Sequence, residues 1–398
     1  MTAPLPGCDT PTLTRRPLVR LTALLCAVLL MLGQAAQAGF ETRATAAYVV
    51  DLNTGVVLLE KNADVPLPPA SMSKLMTLLM LFEAIEDGRI DMATTFTVST
   101  RARQMGGSRM FVEERHRPTA EDLIRGIAVL SGNDASVVVA EGLAGTEEAF
   151  ARLATERARA LGMRDTTIAN ASGWPHPDHR MSMRDLAILA RHIIQEHPRF
   201  YPYLAEENFT WNDITQANRV PLLTAGVGLD GLKTGFTSEA GFGLTGSARQ
   251  GGRRIVFVIS GLGSERERAE EAERIINWAF RQFVQRDVLA EGQILASAEV
   301  WMGEQGSVPL VAADDLRILV PAGAGNQVTA QAVWNGPLQA PVVRGQQVGE
   351  VRVQVPDLPE MRVALLAGAD VAEGGFVVRM RTAANVVLGQ LLGRPAVF

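Results

Sequence analysis

Three short motifs in this chain carry residue types that could act together. Only three of the 398 residues are lysine, Lys61, Lys74 and Lys233, against 35 arginines. Arginine keeps its proton inside proteins, whereas a buried lysine can lose it. A chain that writes almost every cation as arginine therefore draws attention to its few amines, although drift without selection would leave the same pattern. Ser71-Met72-Ser73-Lys74 is an S-x-x-K stretch. Positions three apart share a helix face, so the hydroxyl and the amine can meet, and a desolvated amine can activate a serine for attack. Alone the stretch is weak, because Ser71 could simply cap a helix. Ser131-Gly132-Asn133 offers a hydroxyl and an amide that could relay a proton and hold a substrate carbonyl, yet it also reads as an ordinary turn. Lys233-Thr234-Gly235 supplies two groups suited to a carboxylate and a glycine that lets a substrate approach the backbone.

The elements around these motifs follow from periodicity. From Ser71, the apolar positions Leu75, Leu78, Leu79, Phe82 and Ile85 predict a helix that stops at Gly88. Thr119 with Asp122 predicts the start of a second helix running to Leu130, residues 134–143 a third, Met183–Glu196 a fourth, and residues 265–283 a charged fifth. The S-G-N motif thus falls between two helices. Residues 46–52 and 56–60 are β-rich and flank Asn53-Thr54-Gly55, a hairpin signal. Residues 231–236, 243–249 and 254–261 read as successive antiparallel strands, which puts K-T-G on a strand whose edge could take an extended peptide by strand addition. The expected fold class is α+β: helices flanking an antiparallel sheet built from both ends of this region.

After about residue 284 short valine-rich runs (299–302, 316–320, 328–333 and 348–355) alternate with glycine and proline turns, predicting a small all-β domain over residues 285–372. In residues 373–398, Phe376, Met380, Ala383, Ala384, Val387 and Leu391 share one helical face and no acid follows Glu373. That pattern suits an amphipathic helix lying in the surface of the inner membrane, or a terminal helix packed on the protein.

At the other end, Arg15, Arg16 and Arg20 precede an apolar run from Leu21 to Leu32, and Ala36-Gln37-Ala38 forms a small-x-small site. Residues 1–38 therefore read as a secretory signal peptide, with an uncleaved membrane anchor as the alternative, and the working chain would be periplasmic. Cys8 and Cys26 both lie in that leader, so the remaining chain has no disulfide, thiol nucleophile or thiolate metal site. His116, His176, His179, His192 and His197 show no metal-ligand spacing and read as structural or surface residues; no metal and no cofactor are expected. A net charge of −5 at 47% apolar and 20% charged residues fits a globular protein and gives no reason to expect a nucleic-acid partner.

Taken jointly, S-x-x-K, S-x-N and K-T-G are the signature of penicillin-binding proteins and class A β-lactamases. The sequence goes further. Residues 69–77 (Pro-Ala-Ser-Met-Ser-Lys-Leu-Met-Thr), 105–110 (Met-Gly-Gly-Ser-Arg-Met), Ser131-Gly132-Asn133-Asp134-Ala135 and Asp230-Gly231-Leu232-Lys233-Thr234-Gly235 resemble the low-molecular-mass penicillin-binding proteins, the serine D-alanyl-D-alanine carboxypeptidases. The resemblance covers nearly all of the chain after the leader. It implies a β-lactamase/transpeptidase-like domain over residues 39–284 that removes the terminal D-Ala from peptidoglycan stem pentapeptides and is inhibited by β-lactam antibiotics. It implies Ser71 as acylated nucleophile, Lys74 as its base, and Ser131 and Asn133 in proton transfer and substrate binding. Lys233, Thr234 and Gly235 would hold the substrate end, with the N–H groups of Ser71 and Phe236 as the oxyanion hole. Gln216-Ala217-Asn218-Arg219 resembles the family's Q-x-N-R stretch and marks Arg219 as an active-site cation; Arg268 is a looser match. Many relatives carry histidine where Phe236 follows K-T-G, so the side chain at that point departs from the pattern. The competing readings are a β-lactamase, a DD-endopeptidase acting on cross-links, and a β-lactam or peptidoglycan sensor that does not turn over.

Overall fold

Five strands form the sheet on which the first domain is built. β1 (Ala46–Asp51) and β2 (Val57–Lys61) make the expected hairpin near the N-terminal end. Eight helical segments and a small hairpin then intervene, of which α1 (Lys74–Glu86), α2 (Thr100–Gln104), α3 (Ala120–Ala128), α4 (Asn133–Ala144), α5 (Glu147–Ala160), α6 (Met183–Glu196) and α7 (Tyr201–Leu204) are α-helices. The hairpin is β3 (Asn208–Trp211) with β4 (Ile214–Ala217). The sheet resumes with β5 (Leu229–Thr237), β6 (Gly241–Gln250) and β7 (Arg253–Leu262), and α8 (Glu265–Gln282) follows. The order is β2-β1-β7-β6-β5, antiparallel throughout, so β5 is an edge strand. The structure, a computed structural model, describes residues 40–322, 328–354 and 360–378 together with Met380 and Ala384. The leader and nearly all of the expected C-terminal amphipathic helix lie outside the described residues; of that segment, residues 376–378 are helical, with Phe376 and Val377 exposed.

Local rules account for most of these elements. Thr119 accepts from the Asp122 N–H while the Asp122 carboxylate accepts from the Thr119 N–H, a reciprocal cap on α3. Ser182 and Ser264 cap α6 and α8 in the simpler way. α5 was not among the sequence expectations, although Thr146, Glu147 and Glu148 make an ordinary helix start and Phe150, Ala151, Ala154 and Ala158 share its buried side.

α1 is buried nearly all round, with Leu75, Met76, Leu78, Leu79, Leu81 and Phe82 inaccessible, and packs against α3, α4, α5 and α6. A helix with apolar residues on every side must sit inside the fold. β7 is covered on both faces. Val256 and Val258 join the helical core under α6, while alternate residues Ile255, Phe257 and Ile259 face α8. Burying a residue of this kind stabilises the fold by about 1.5–3 kcal/mol.

α8 runs straight into β8 (Phe283–Leu289), so the helix expected to reach residue 283 stops one residue earlier and the second set of strands begins without a linker. Arg253 sits at this passage: it pairs with fully buried Asp51 at 2.5 Å and donates to the carbonyls of Ala279 and Phe283. A guanidinium on the last carbonyls of a helix satisfies acceptors that have no intrahelical partner. Beyond it, β9 (Ile294–Trp301), β10 (Ser307–Ala312), β11 (Leu316–Pro321), β12 (Thr329–Trp334), β13 (Leu338–Gln339), β14 (Gln347–Gln354) and β15 (Met361–Ala367) complete the all-β part. They form a sheet ordered β12-β14-β15-β10-β9-β13, beside a β8–β11 pair, around Leu310, Val351, Val353, Leu365 and their neighbours.

Candidate active site

Ser71 is not on the α-helix that the periodicity predicts from that residue. It lies in a single 3-10 turn, Ala70–Ser73, and α1 starts only at Lys74. The spacing still works, because Lys74 Nζ lies 2.8 Å from Ser71 Oγ. The same nitrogen reaches Asn133 Oδ1 at 2.7 Å and the Ser172 carbonyl at 2.5 Å. Asn133 has its orientation fixed from the other side, since its Nδ2 donates to the Gly106 carbonyl at 2.7 Å.

These three contacts decide what the amine can do. A neutral lysine has two N–H bonds and one lone pair. Asn133 Oδ1 and the Ser172 carbonyl can only accept, so they take the two N–H bonds. The lone pair is left for the one partner that can donate, the Ser71 hydroxyl. Lys74 is wholly buried, and burial first, then the positive charges of Lys233 and Arg219, hold its pKa well below the ordinary lysine value, with Asp134 opposing.

The S-G-N motif sits at the α3–α4 junction as expected. Ser131 is buried with φ 60°, a left-handed conformation that a serine adopts at a cost. Asn133 opens α4, and its N–H donates to the Ser108 carbonyl. The next residue, Asp134, is buried and accepts N–H bonds from Met110, Phe111 and Val112, pinning the stretch that carries Gly107 and Ser108 to the base of α4.

K-T-G lies on the edge strand β5. A Cβ on Gly235 would sit 3.0–3.1 Å from Pro69 O, Ala70 Cβ and Met72 Cγ, so a side chain there would press on the serine turn and glycine eases this close approach of the strand. Lys233 is 2% exposed, and its sole hydrogen bond among the described residues is a 3.3 Å contact to the Thr234 carbonyl. Burial, reinforced by Arg219 and Arg268, brings its pKa down to about 7.

Arg219 arrives through the Q-x-N-R stretch. Gln216 donates to the Arg109 carbonyl at 3.0 Å and Asn218 to the Glu206 carbonyl at 2.8 Å, which fixes the strand end and turns Arg219 toward the Ser108 hydroxyl, to which it donates. Arg268, in the first turns of α8, reaches the Arg219 carbonyl at 3.5 Å, and its Nε has no hydrogen-bond partner among the described residues. No carboxylate pairs with Lys233, Arg219 or Arg268 among the described residues; Glu265 alone stands nearby on the same cavity wall.

A cavity of about 380 Å³ joins these parts. Ser71, Ser131, Asn133, Arg219, Thr234, Gly235, Phe236 and Arg268 all line it, and Lys74 and Lys233 lie behind its wall. It has the nucleophile in its lining with the base behind it, and a cluster of three basic groups outnumbers the single carboxylate of Glu265, which suits an anionic substrate with an acyl group to transfer. Every candidate site residue read from the sequence is therefore brought to one place.

Two contributors escaped sequence reasoning. Ser172 acts through its backbone carbonyl, which any residue type supplies. It is delivered by the turn at residues 169–174, where Asn170 accepts from the Ser172 and Trp174 N–H groups and His179 Nδ1 accepts from the Ala169 N–H. A Cβ on Gly173, which has φ 74°, would overlap the Ala70 carbonyl. Buried His179 is held neutral, with its pKa pushed down to about 3 by desolvation. The second is Trp174, which lines the cavity directly; the Gly-Trp-Pro turn was the signal available for it.

Glu83, His192 and His197 bring three donor atoms within 4.8 Å of one another, away from the cavity. Arg157 already fills that place: it holds Glu83 at 2.7–2.8 Å and stands 3.5 Å from His192 Nε2. A guanidinium there opposes a metal cation, so the donor set does not fit one.

Comparison with known proteins agrees with this geometry. Residues 33–263 match the family model described as D-alanyl-D-alanine carboxypeptidase, and residues 283–373 match the C-terminal domain of penicillin-binding protein 5. The chain is 34% identical over 348 residues to the D-alanyl-D-alanine carboxypeptidase DacD of Escherichia coli, covering 85% of this chain and 90% of that one. Among solved structures, penicillin-binding protein 5 from Haemophilus influenzae superposes with a TM-score of 0.76 at 31% identity, covering 84% of this chain and 99% of the other. Penicillin-binding protein D2 from Listeria monocytogenes in its cefotaxime-bound form does so with a TM-score of 0.57 at 29% identity, covering 61% and 100%.

Proposed function

This chain belongs to the serine D-alanyl-D-alanine carboxypeptidase family, and on that premise we propose how its own residues carry out the reaction. The observation that carries the reading is the buried Lys74 amine, 2.8 Å from Ser71 Oγ, whose other two partners, Asn133 Oδ1 and the Ser172 carbonyl, can only accept. The terminal carboxylate of a peptidoglycan stem pentapeptide enters among Lys233, Thr234, Arg219 and Arg268. Lys74 Nζ takes the Ser71 proton as Oγ attacks the carbonyl of the penultimate D-Ala, forming a C–O bond while the carbonyl π electrons move to oxygen. The backbone N–H groups of Ser71 and Phe236 receive that oxyanion.

The tetrahedral centre collapses by breaking the C–N bond, and the proton held on Lys74 reaches the leaving amine, with the Ser131 hydroxyl as relay. D-Alanine departs and an ester to Ser71 remains. Water then attacks that ester by the same route, giving its proton to Lys74 and returning Ser71 to its starting form. A β-lactam enters by the same first step. Its ring amide opens onto Ser71, but the amine stays tethered in the site and obstructs the water. Phe236 retains the N–H that the oxyanion hole needs.

The remaining assignments belong to the same reading. Residues 1–38 direct export to the periplasm, 39–284 form the catalytic domain, 285–372 the all-β domain, and 373–398 rest on the outer face of the inner membrane. The basic, apolar and small-residue regions of the leader support the first, and the one-sided apolar pattern of the tail supports the last. No helix among the described residues is long and apolar enough to cross a membrane.

The test is D-alanine release from diacetyl-L-lysyl-D-alanyl-D-alanine, with S71A alongside. Release by the wild type and none by the folded variant is the expected result. Full release by folded S71A would overturn the assignment of the nucleophile. Labelling by fluorescent penicillin without release would favour the sensor, or the endopeptidase if cross-linked muropeptides are cut instead. Co-sedimentation of the full chain with anionic vesicles, unchanged by truncation before Glu373, would overturn the membrane assignment.

A further inference from the structure

The Ser172 carbonyl that faces the Lys74 amine is a backbone group on an irregular turn, and the residue before it is gripped from two helices. On α1, Thr77 stands three residues after Lys74 and shares its face. Lys74 Nζ donates to the Ser172 carbonyl at 2.5 Å, and Thr77 Oγ1 donates to the Ala171 carbonyl at 2.7 Å. Two successive carbonyls thus face one helix. In an extended strand they would point to opposite sides, so no ladder pairing keeps this path in place.

The other end of the Ala171 residue is held from α5. Glu147, the first residue of that helix, is 4% exposed, and its Oε1 accepts the Ala171 N–H at 3.0 Å. Its Oε2 accepts from half-exposed Arg101 on α2 at 2.6 Å. A carboxylate makes a stronger acceptor for a backbone N–H than a neutral oxygen does. Thr77, Ala171 and Ser172 are buried too, so a bond lost here is not made good by bulk water. Neither Thr77 nor Glu147 lines the cavity that holds Ser71.

We infer that Thr77 and Glu147 are positioning residues for the proton transfer: gripping Ala171 by its carbonyl and its N–H, they set the Ser172 carbonyl against the Lys74 amine and so fix how that amine meets Ser71. Without the grip the carbonyl drifts, Nζ keeps only Asn133 as an acceptor-only partner, and the amine is free to turn from the hydroxyl. Misplacing a reacting group by about 1 Å slows a step by as much as about 100-fold. The inference rests on the assignment of Ser71 as nucleophile and Lys74 as base, and adds the residues behind that pair.

The experiment measures the rate constant and the apparent binding constant for acylation by a fluorescent penicillin, with kcat and KM for D-alanine release from diacetyl-L-lysyl-D-alanyl-D-alanine. Full-length wild type, T77V, T77S, E147L and E147Q are compared. T77V removes the hydroxyl at nearly constant shape, and T77S keeps it. E147L removes the acceptor, whereas E147Q keeps an oxygen for the Ala171 N–H and gives up only the ion pair with Arg101. T77V and E147L should slow acylation and kcat about tenfold to 100-fold with binding constant and KM unchanged, because neither residue reaches the substrate. T77S and E147Q should keep most of the wild-type rate. Wild-type rates in T77V, a loss confined to binding constant and KM, or an E147Q protein as slow as E147L would each overturn the inference. T77V decides the matter even if E147L does not fold. A wild type that neither takes the penicillin nor releases D-alanine would instead overturn the assignment of Ser71 and Lys74, a result distinct from any difference among the variants.

Discussion

Lys233 is a cation that the folded protein holds at a loss, and removing it should make the protein more stable and inactive together. The residue is 2% exposed, has no carboxylate partner among the described residues, and has its pKa brought down to about 7 from 10.5 by burial first and then by Arg219 and Arg268. The unfolded chain therefore binds more protons than the native one between those two values, and native stability rises with pH across that window. Below pH 7 the native state carries the whole penalty, on the order of 5 kcal/mol at 1.36 kcal/mol per pH unit. By pH 9.5 it falls to about 1 kcal/mol, because the native amine is already neutral and the unfolded one only tenfold from its own pKa. Methionine keeps the length and the apolar stem without the charge, so K233M should be more stable than wild type by up to this amount at pH 6. Relaxation and water entry reduce such penalties. A third of the figure still raises Tm by roughly 3–7 °C in a domain of this size. The assay is thermal unfolding of both proteins at pH 6 and pH 9.5, with D-alanine release measured beside it. A K233M protein no more stable than wild type at pH 6 would refute the reasoning, as would an advantage that does not shrink at pH 9.5.

Other substitutions probe the same arrangement. K74R keeps a cation at the base position but cannot give up its proton, so acylation by a fluorescent penicillin should slow by at least about 100-fold with the fold intact by circular dichroism. G173A forces a Cβ onto the Ala70 carbonyl at φ 74°, so D-alanine release should fall about tenfold or more, with a lower Tm. R253M strips fully buried Asp51 of its charge partner, although the Thr54 N–H and hydroxyl still bond it. The expected cost is about 3–5 kcal/mol, read as a lower guanidinium midpoint at unchanged slope, and a D51L/R253M double variant should recover most of it.

What could be read in advance follows the range of the interaction. The Ser71–Lys74 contact, the α3 capping box and the β5-β6-β7 meander all join residues close in sequence, and all appear where pattern and spacing put them. The serine turn shows the limit of the same reasoning. A helix beginning at Ser71 satisfies the periodicity, but the close approach of Gly173 and Gly235 to residues 69–72 accompanies a tighter 3-10 turn there. α5 was missed although its start signals are present, because its exposed charged face weakens the apolar pattern.

By itself the sequence determined which side chains would react: a serine and an amine three residues apart, a hydroxyl-amide pair, and a lysine-threonine-glycine strand, in a chain with lysine at only three places. Those are choices of side-chain chemistry, and side chains are what a sequence spells out. Only the tertiary structure decided the protonation chemistry. The Ser172 carbonyl reaches Lys74 from 98 residues away, and Asn133 from 59. The burial that lowers the pKa values of both lysines comes from packing of the whole domain. Backbone carbonyls carry no side-chain signature and desolvation is a property of the assembled fold, so the reacting groups were legible in the sequence, and the state in which they react was settled by folding.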